Sequence, residues 1–262
     1  MDIKNSSKII LQRGLSEMMI IQVLLTSIIL GIVYKKMLKW ECDMSINKKQ
    51  AFVPIFLGIL ATILTLGFAL GIAFTFINIG FTVDNIQNVV IKSFATSFWR
   101  AGLIEEISRL LMIILAIWLF KPKNVYEYIL TGAAVGIGIT LLEEFVYGED
   151  IEGLLRLITL GVHTIFGIIM GKYIGIGQYN KKNGLPYKLQ YLIAFSVPVI
   201  LHTIYDVCTV FNPAIFINNI DDERTGIWIL IGLVCIVFTT IFQFVAIKHV
   251  KRDAEKYSKM LM

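Results

Sequence analysis

Charge is scarce in this chain, and that scarcity argues against an ordinary soluble domain. Only 16% of its 262 residues are Asp, Glu, Lys or Arg, against about 25% in soluble domains. No polar stretch is long enough for a sizeable soluble unit, so residues 1–262 are expected to form a single integral membrane domain. Cysteine is sparse too. Of three, Cys208 and Cys235 lie in apolar runs and Cys42 in a Lys-flanked loop, which excludes a disulfide framework and a CxxC metal clip. No small-residue cleavage site follows the first apolar run, which therefore reads as a retained helix and not a signal peptide. An HExxH helix, an internal repeat and a low-complexity tract are also lacking. The net charge of +5 does not point to nucleic acid, because Lys and Arg fall mainly in loops between apolar runs, as in the cytoplasmic loops of membrane proteins.

Apolar sequence is abundant instead: 56% of residues are hydrophobic and the mean hydropathy is +0.75. Crossing a hydrocarbon core of roughly 30 Å takes about 20 apolar residues. Seven stretches meet that need: Met18–Tyr34, Phe52–Ile77, Phe94–Phe120, Val125–Tyr147, Leu154–Ile176, Leu189–Phe211 and Ile227–Lys248. The expected fold is all-α, a polytopic membrane bundle of about seven transmembrane helices. Ala51–Val83 carries no charge and exceeds one crossing, which suggests a tilted helix followed by an interfacial segment. Alternate loops differ in sign. Lys35, Lys36, Lys39, Lys48 and Lys49, then Lys121 and Lys123, then Lys181, Lys182 and Lys188, and a tail with Lys251, Arg252, Lys256 and Lys259 share one side. Asp84, Glu149, Asp150, Glu152, Asp221, Asp222 and Glu223 share the other. The positive-inside rule then places the C-terminus in the cytoplasm and the N-terminus outside. Lys4, Lys8 and Arg13 fall on the wrong side of that scheme, which calls for an interfacial helix or a different span count.

Ionisable groups at membrane depth are costly and mark functional sites by default. Here they concentrate in residues 94–211, the expected catalytic helix core. The third span holds Glu105, Glu106 and Arg109, the fourth Glu143 and Glu144, the fifth His163, and the sixth His202 and Asp206. Glu105 and Arg109, like His202 and Asp206, are spaced i,i+4 and share a helix face. Glu106 points about 100° away from Glu105, so Arg109 can hold one carboxylate ionised while the other meets substrate or water. Of the pair in the fourth span, Glu143 is expected to face inward and Glu144 to be solvated. Counted along the spans, Glu105, Glu143, His163, His202 and Asp206 all fall in the outer half of the membrane, as one shared site would require. Hydrolysis suits this set, since a carboxylate can take a proton from water while imidazole steadies a developing oxyanion. His163, His202, Glu105 and Glu143 can equally bind Zn²⁺ with a position left open for water. A proton- or cation-coupled transporter using the same groups as a relay is the alternative, and the absence of an inverted repeat counts against it.

Taken together, these motifs resemble the PrsW family of bacterial intramembrane proteases, within the larger group that holds the CAAX-prenyl and bacteriocin-processing proteases. Glu105, Glu106 and Arg109 resemble its EExxK/R element. Gly136, Gly138, Glu143 and Tyr147 resemble its G-x-G-x-x-x-x-E-N-x-x-Y element, with Glu144 where Asn is usual. His163, Gly167 and Gly171 resemble H-x-x-x-G-x-x-x-G, and His202, Tyr205 and Asp206 resemble H-x-x-Y-D/N. The four elements occur in order on four successive spans, over roughly residues 100–210. The resemblance implies a multi-pass protease of the bacterial cell membrane, embedded in the lipid bilayer. Its substrate would be a single-pass membrane protein cut near its extracytoplasmic end, with site-1 cleavage of an anti-sigma factor as the family role. Glu105, Glu106, Glu143, His163, His202 and Asp206 would then be catalytic, with Arg109 supporting them. Glutamate-activated water and metal-dependent chemistry both remain open.

Overall fold

A computed structural model describes residues 3–42, 46–78, 83–147, 157–217 and 223–262. Eight α-helices account for most of them: α1 Ile3–Lys39, α2 Lys48–Asn78, α3 Val89–Ser97, α4 Glu106–Phe120, α5 Val125–Tyr147, α6 Val162–Lys182, α7 Lys188–Cys208 and α8 Glu223–Ser258. A π-helical segment, Phe98–Glu105, joins α3 directly to α4. The chain is therefore a helical membrane bundle, and no β-strand occurs among the described residues.

The seven expected crossings are not matched one for one. Among the described residues, five helical stretches are long and apolar enough to span: Ile20–Lys39, Lys48–Thr75, Val125–Val146, Lys188–Cys208 and Arg224–Ser258. The expected third span is absent from that set because the π segment divides it into shorter α-helices. The expected fifth begins at Val162 and takes in Lys172, Gln178, Lys181 and Lys182, so it is less apolar than its central run suggests. The uncharged second stretch is one helix through Asn78, about 46 Å long at 1.5 Å per residue. Lys4, Lys8 and Arg13 belong to the same continuous helix as the first span. The acidic loop residues Glu149, Asp150, Glu152, Asp221 and Asp222 lie outside the described residues, as do Leu154–Arg156 of the expected fifth span.

Local chemistry sets the helix ends. The Asn88 carboxamide oxygen accepts the backbone N–H groups of Val90 and Ile91 at 3.0 and 3.1 Å, capping α3. Helix α4 ends where Lys121 turns left-handed (φ 48°) and Pro122 follows. At the start of α5 the Asn124 side chain accepts the Glu127 N–H at 2.9 Å, while the Glu127 carboxylate reaches back to the Lys123 N–H at 2.8 Å. The same carboxylate accepts from Gln50 at 2.8 Å, so this wholly buried Glu127 is a structural cap. The C-terminal residues tuck in beside it, with the Met262 N–H donating to the Lys123 carbonyl at 2.8 Å.

Helix α5 is the axis of the bundle. Along its first half Val125, Tyr126, Ile129 and Leu130 pack against Leu30, Tyr34 and Met37 of α1 and Val250, Ala254 and Tyr257 of α8. Further along, Val135 and Ile139 pack against Ile113 of α4 and Met170 and Ile174 of α6. The outer faces of α1, α2 and α8 are apolar and open: Ile28, Leu66, Leu70, Phe74, Phe238 and Phe244 are all exposed. Such a belt is a liability in water and the expected surface in lipid.

The packing also gives the bundle two chemically different ends. The end of α1, the α4–α5 turn, the end of α6 and the end of α8 carry many of the Lys and Arg residues and lie together. Measured along their helices from that basic end, Glu105, Glu143, His163 and His202 all lie about 20–30 Å away. Four helices thus bring their polar groups to one level in the opposite half.

Close approach of α5 and α6 depends on Gly136, where a Cβ would run into the His163 carbonyl and the Thr164 backbone. Gly136→Ala is expected to lower stability by about 1–3 kcal/mol, since backbone on both sides leaves nothing flexible to yield. Gly67→Ala, which meets nothing within 4 Å, is the matched control and should unfold like wild type. Thermal unfolding in detergent compares the two; equal midpoints would refute the close-packing account.

Candidate active site

The site is assembled around Glu106 and Arg109, both without any solvent exposure. They sit on the first turn of α4, and their side chains form an ion pair. The sequence spacing had favoured Glu105 as the partner of Arg109. The structure selects Glu106 instead, three residues from Arg109, and turns Glu105 towards a cavity. Tertiary contacts make that choice. Arg109 also donates through Nη2 to His163 Nδ1 at 2.7 Å, and Glu106 Oε1 lies 2.7 Å from His202 Nδ1. Only a side chain placed as Glu106 is can bridge Arg109 to α7.

These contacts assign the histidine protons. Guanidinium has no acceptor, so His163 Nδ1 accepts from Arg109. Its Nε2 then carries the proton, which it donates to Glu143 Oε2 at 2.8 Å. His202 is set the other way: its Nδ1–H donates to the Glu106 carboxylate, and its Nε2 faces the carboxylates of the cavity. That nitrogen is 3.7 Å from Glu105 Oε2 and 3.9 Å from Asp206 Oδ1. The two imidazoles meet edge to face, with centroids 5.2 Å apart. Phe166 packs under His202 at 5.1 Å and under the Arg109 guanidinium at 5.6 Å, which covers the ion pair with an apolar lid.

All of the candidate residues are brought together. Glu105, Glu143, His163, His202 and Asp206 line one cavity of about 530 Å³, whereas Glu106 and Arg109 stand behind it. Glu106 is thus placed to position His202 and not to touch a substrate. Glu144 was expected to be solvated, but it is buried and accepts a hydrogen bond from Gln22 of α1. No ionisable residue in the first span had signalled that contact; Gln22 is one of its few polar residues. Tyr205 bonds Thr159 at 2.8 Å on the cavity wall, and the backbone of Tyr147 ends α5. One lining residue escaped the sequence reading: Arg100, five positions before Glu105. The signal available for it was a lone Arg in the approach to a Glu pair.

The donor set suits a divalent cation. One donor atom each from Glu105, His163 and His202 lie within 4.8 Å of one another, and Glu105 Oε2 is buried with no hydrogen-bond partner. Nitrogen and oxygen donors of this kind match zinc and its first-row neighbours. His202, with Nδ1–H bonded to a carboxylate and Nε2 turned to the other donors, has the orientation typical of a metal-ligating histidine.

Residues 54–242 match the family profile described as PrsW family intramembrane metalloprotease. The chain is 28% identical over 126 residues to the protein named Protease PrsW of Bacillus subtilis, covering 46% of this chain and 56% of that one. It is 29% identical over 122 residues to Protease PrsW of Oceanobacillus iheyensis, covering 43% and 54%. Each alignment thus spans about half the length of these curated relatives. No solved structure matches the chain.

Removing one partner of a buried ion pair leaves the other charge uncompensated, at a cost of about 3–5 kcal/mol. Arg109→Met is therefore expected to destabilise the chain by that order, and Arg109→Met with Glu106→Gln by clearly less. Detergent-based thermal unfolding of both variants checks this. A double variant no more stable than the single one would mean the pair is not the anchor.

Proposed function

From the premise that the chain belongs to the PrsW family of intramembrane metalloproteases, we propose that it is a membrane-embedded endopeptidase cutting a single-pass membrane protein. The observation that carries this reading is the convergence of Glu105, His163 and His202 on one cavity, with Glu143 bonded to His163. Cleavage falls near the extracytoplasmic end of the substrate, and an anti-sigma factor is the substrate class the family resemblance suggests. The gathering of basic residues at one end of the bundle supports a cytoplasmic C-terminus, and the site then sits in the outer half.

Each side chain has a role consistent with its surroundings. Glu105 and His202 would hold the cation, for which Zn²⁺ is the best match, and His163 would join them through Nε2 once that nitrogen gives up the proton it donates to Glu143. A bound metal of this kind lowers the pKa of its water and polarises a carbonyl oxygen. Glu143 lines the cavity and accepts a hydrogen bond from His163, so it is placed to take the proton of the attacking water and to return it to the departing amine. Glu106 and Arg109 lock the two imidazoles in opposite tautomers, which fixes the Nε2 lone pair of His202 towards the cavity. Asp206 adds a second acceptor beside that nitrogen. The apolar wall of Ile229, Leu233 and Ile236 from α8 is suited to a substrate helix and limits water near the site.

In vesicles holding the purified chain and a panel of single-span reporter proteins, wild type is expected to cleave at least one reporter. Glu105→Ala and His202→Ala should each lose about 100-fold or more in rate while inserting normally. Either variant cleaving at the wild-type rate would sink the assignment. Protein purified without chelator is expected to carry about one equivalent of metal, and His202→Ala to bind it about 10–100-fold more weakly. Elemental analysis and zinc titration read this directly; unchanged affinity would favour a glutamate-activated water instead.

A further inference from the structure

The cavity is lined by four carboxylates, from Glu105, Glu143, Glu144 and Asp206, and among the described residues by a single Lys or Arg, which is Arg100. This arginine has no place in the hydrolytic machinery above. It forms no ion pair among the described residues, is solvent-exposed, and its guanidinium lies 5.2 Å from the ring centroid of Phe211, also on the cavity wall.

Backbone geometry brings Arg100 to the site. Both Arg100 and Glu105 lie in the π-helical segment Phe98–Glu105. On an α-helix, residues five apart point about 140° from one another, so Arg100 would face away from the cavity that Glu105 lines. In a π-helix hydrogen bonds run from i to i+5, which sets such residues nearly above one another. The segment makes room for itself at Gly102, where a Cβ would collide with the Thr203 hydroxyl of α7. The irregular turn therefore carries a cation onto the same wall as the carboxylate. Phe211 lies beside the guanidinium, whose N–H fork suits a planar, bidentate acceptor.

We infer that Arg100 and Phe211 form a specificity subsite that binds a carboxylate of the substrate peptide, as an acidic side chain near the scissile bond or as a free C-terminus. This rests on the peptidase reading and extends it: apart from the proposed metal position, Arg100 is the one Lys or Arg among the described lining residues that can pair with a substrate carboxylate, in a wall that otherwise carries Glu143, Glu144 and Asp206. Arg100 is a substrate-positioning residue, and its loss should raise KM far more than it lowers kcat.

The test uses a single-span reporter peptide cleaved by wild type, made with Asp or Asn at successive positions flanking the cut, and with a free or amidated C-terminus. Wild type is expected to favour one Asp position, or the free terminus, by about tenfold or more in kcat/KM. Arg100→Gln should abolish that preference, Arg100→Lys should keep part of it, and Arg100→Glu should shift it to a peptide with Lys at the same place. Which peptide series responds identifies the source of the carboxylate. Equal losses on Asp and Asn peptides would overturn the subsite, as would a loss that follows only the anionic lipid content of the vesicles, which would make Arg100 a lipid contact. Binding of the same peptides to Glu105→Gln, measured by thermophoresis, keeps the question separate from hydrolysis. An Arg100-dependent preference for the carboxylate peptide there upholds the subsite even if no peptide is cut, and its absence overturns it.

Discussion

The pair formed by Glu106 and Arg109 is the constraint on which the rest of the site depends. A buried ion pair in a membrane protein gains little unless its remaining hydrogen-bonding groups find partners. Here the two histidines supply one partner to each member, while Glu106 Oε2 and Arg109 Nε are buried without one. Arg109 reaches His163 on α6 and Glu106 reaches His202 on α7, so a single pair on α4 ties three helices together. The same contacts decide which nitrogen of each ring carries the proton. Stability and chemical readiness therefore arise from one network, and neither can be altered alone.

Around that network the helices are held at the required separation by the absence of side chains. Gly136 brings the α5 backbone against His163, and Gly102 admits Thr203 of α7 beside the π segment. In lipid there is no hydrophobic drive to pull helices together, so close packing of small residues carries more of the burden. The open apolar faces of α1, α2 and α8 show the complementary solution, with bulk directed outward into the bilayer.

The π segment is a local irregularity beside the candidate site, and it does two things. It divides what reads in the sequence as a single span, and it changes which side chains share a face. A regular helix through Phe94–Phe120 would send Arg100 and Glu105 in different directions. The observed one turns both to the cavity. Polar residues elsewhere in the spans serve other ends: Glu127 caps α5, and Gln22 secures Glu144.

Much of this was legible from residue order. A helical membrane bundle follows from the length and apolarity of the runs, because lipid leaves backbone groups few ways to be satisfied. The polar residues that meet at the site were visible as costly exceptions in those runs, and their order along four helices carried the family. What one dimension could not supply was pairing. Spacing allows Arg109 either Glu105 or Glu106, since both lie one turn away, and only the position of His202 on α7 selects Glu106. Nor does hydropathy reveal that Glu144 is buried or that Arg100 faces inward; the first depends on a distant helix and the second on a changed hydrogen-bond register. Sequence by itself determined which groups lie in the membrane-spanning region, because burial cost depends on residue type. Tertiary structure decided which of them touch, because contact depends on the packing of helices far apart in the chain.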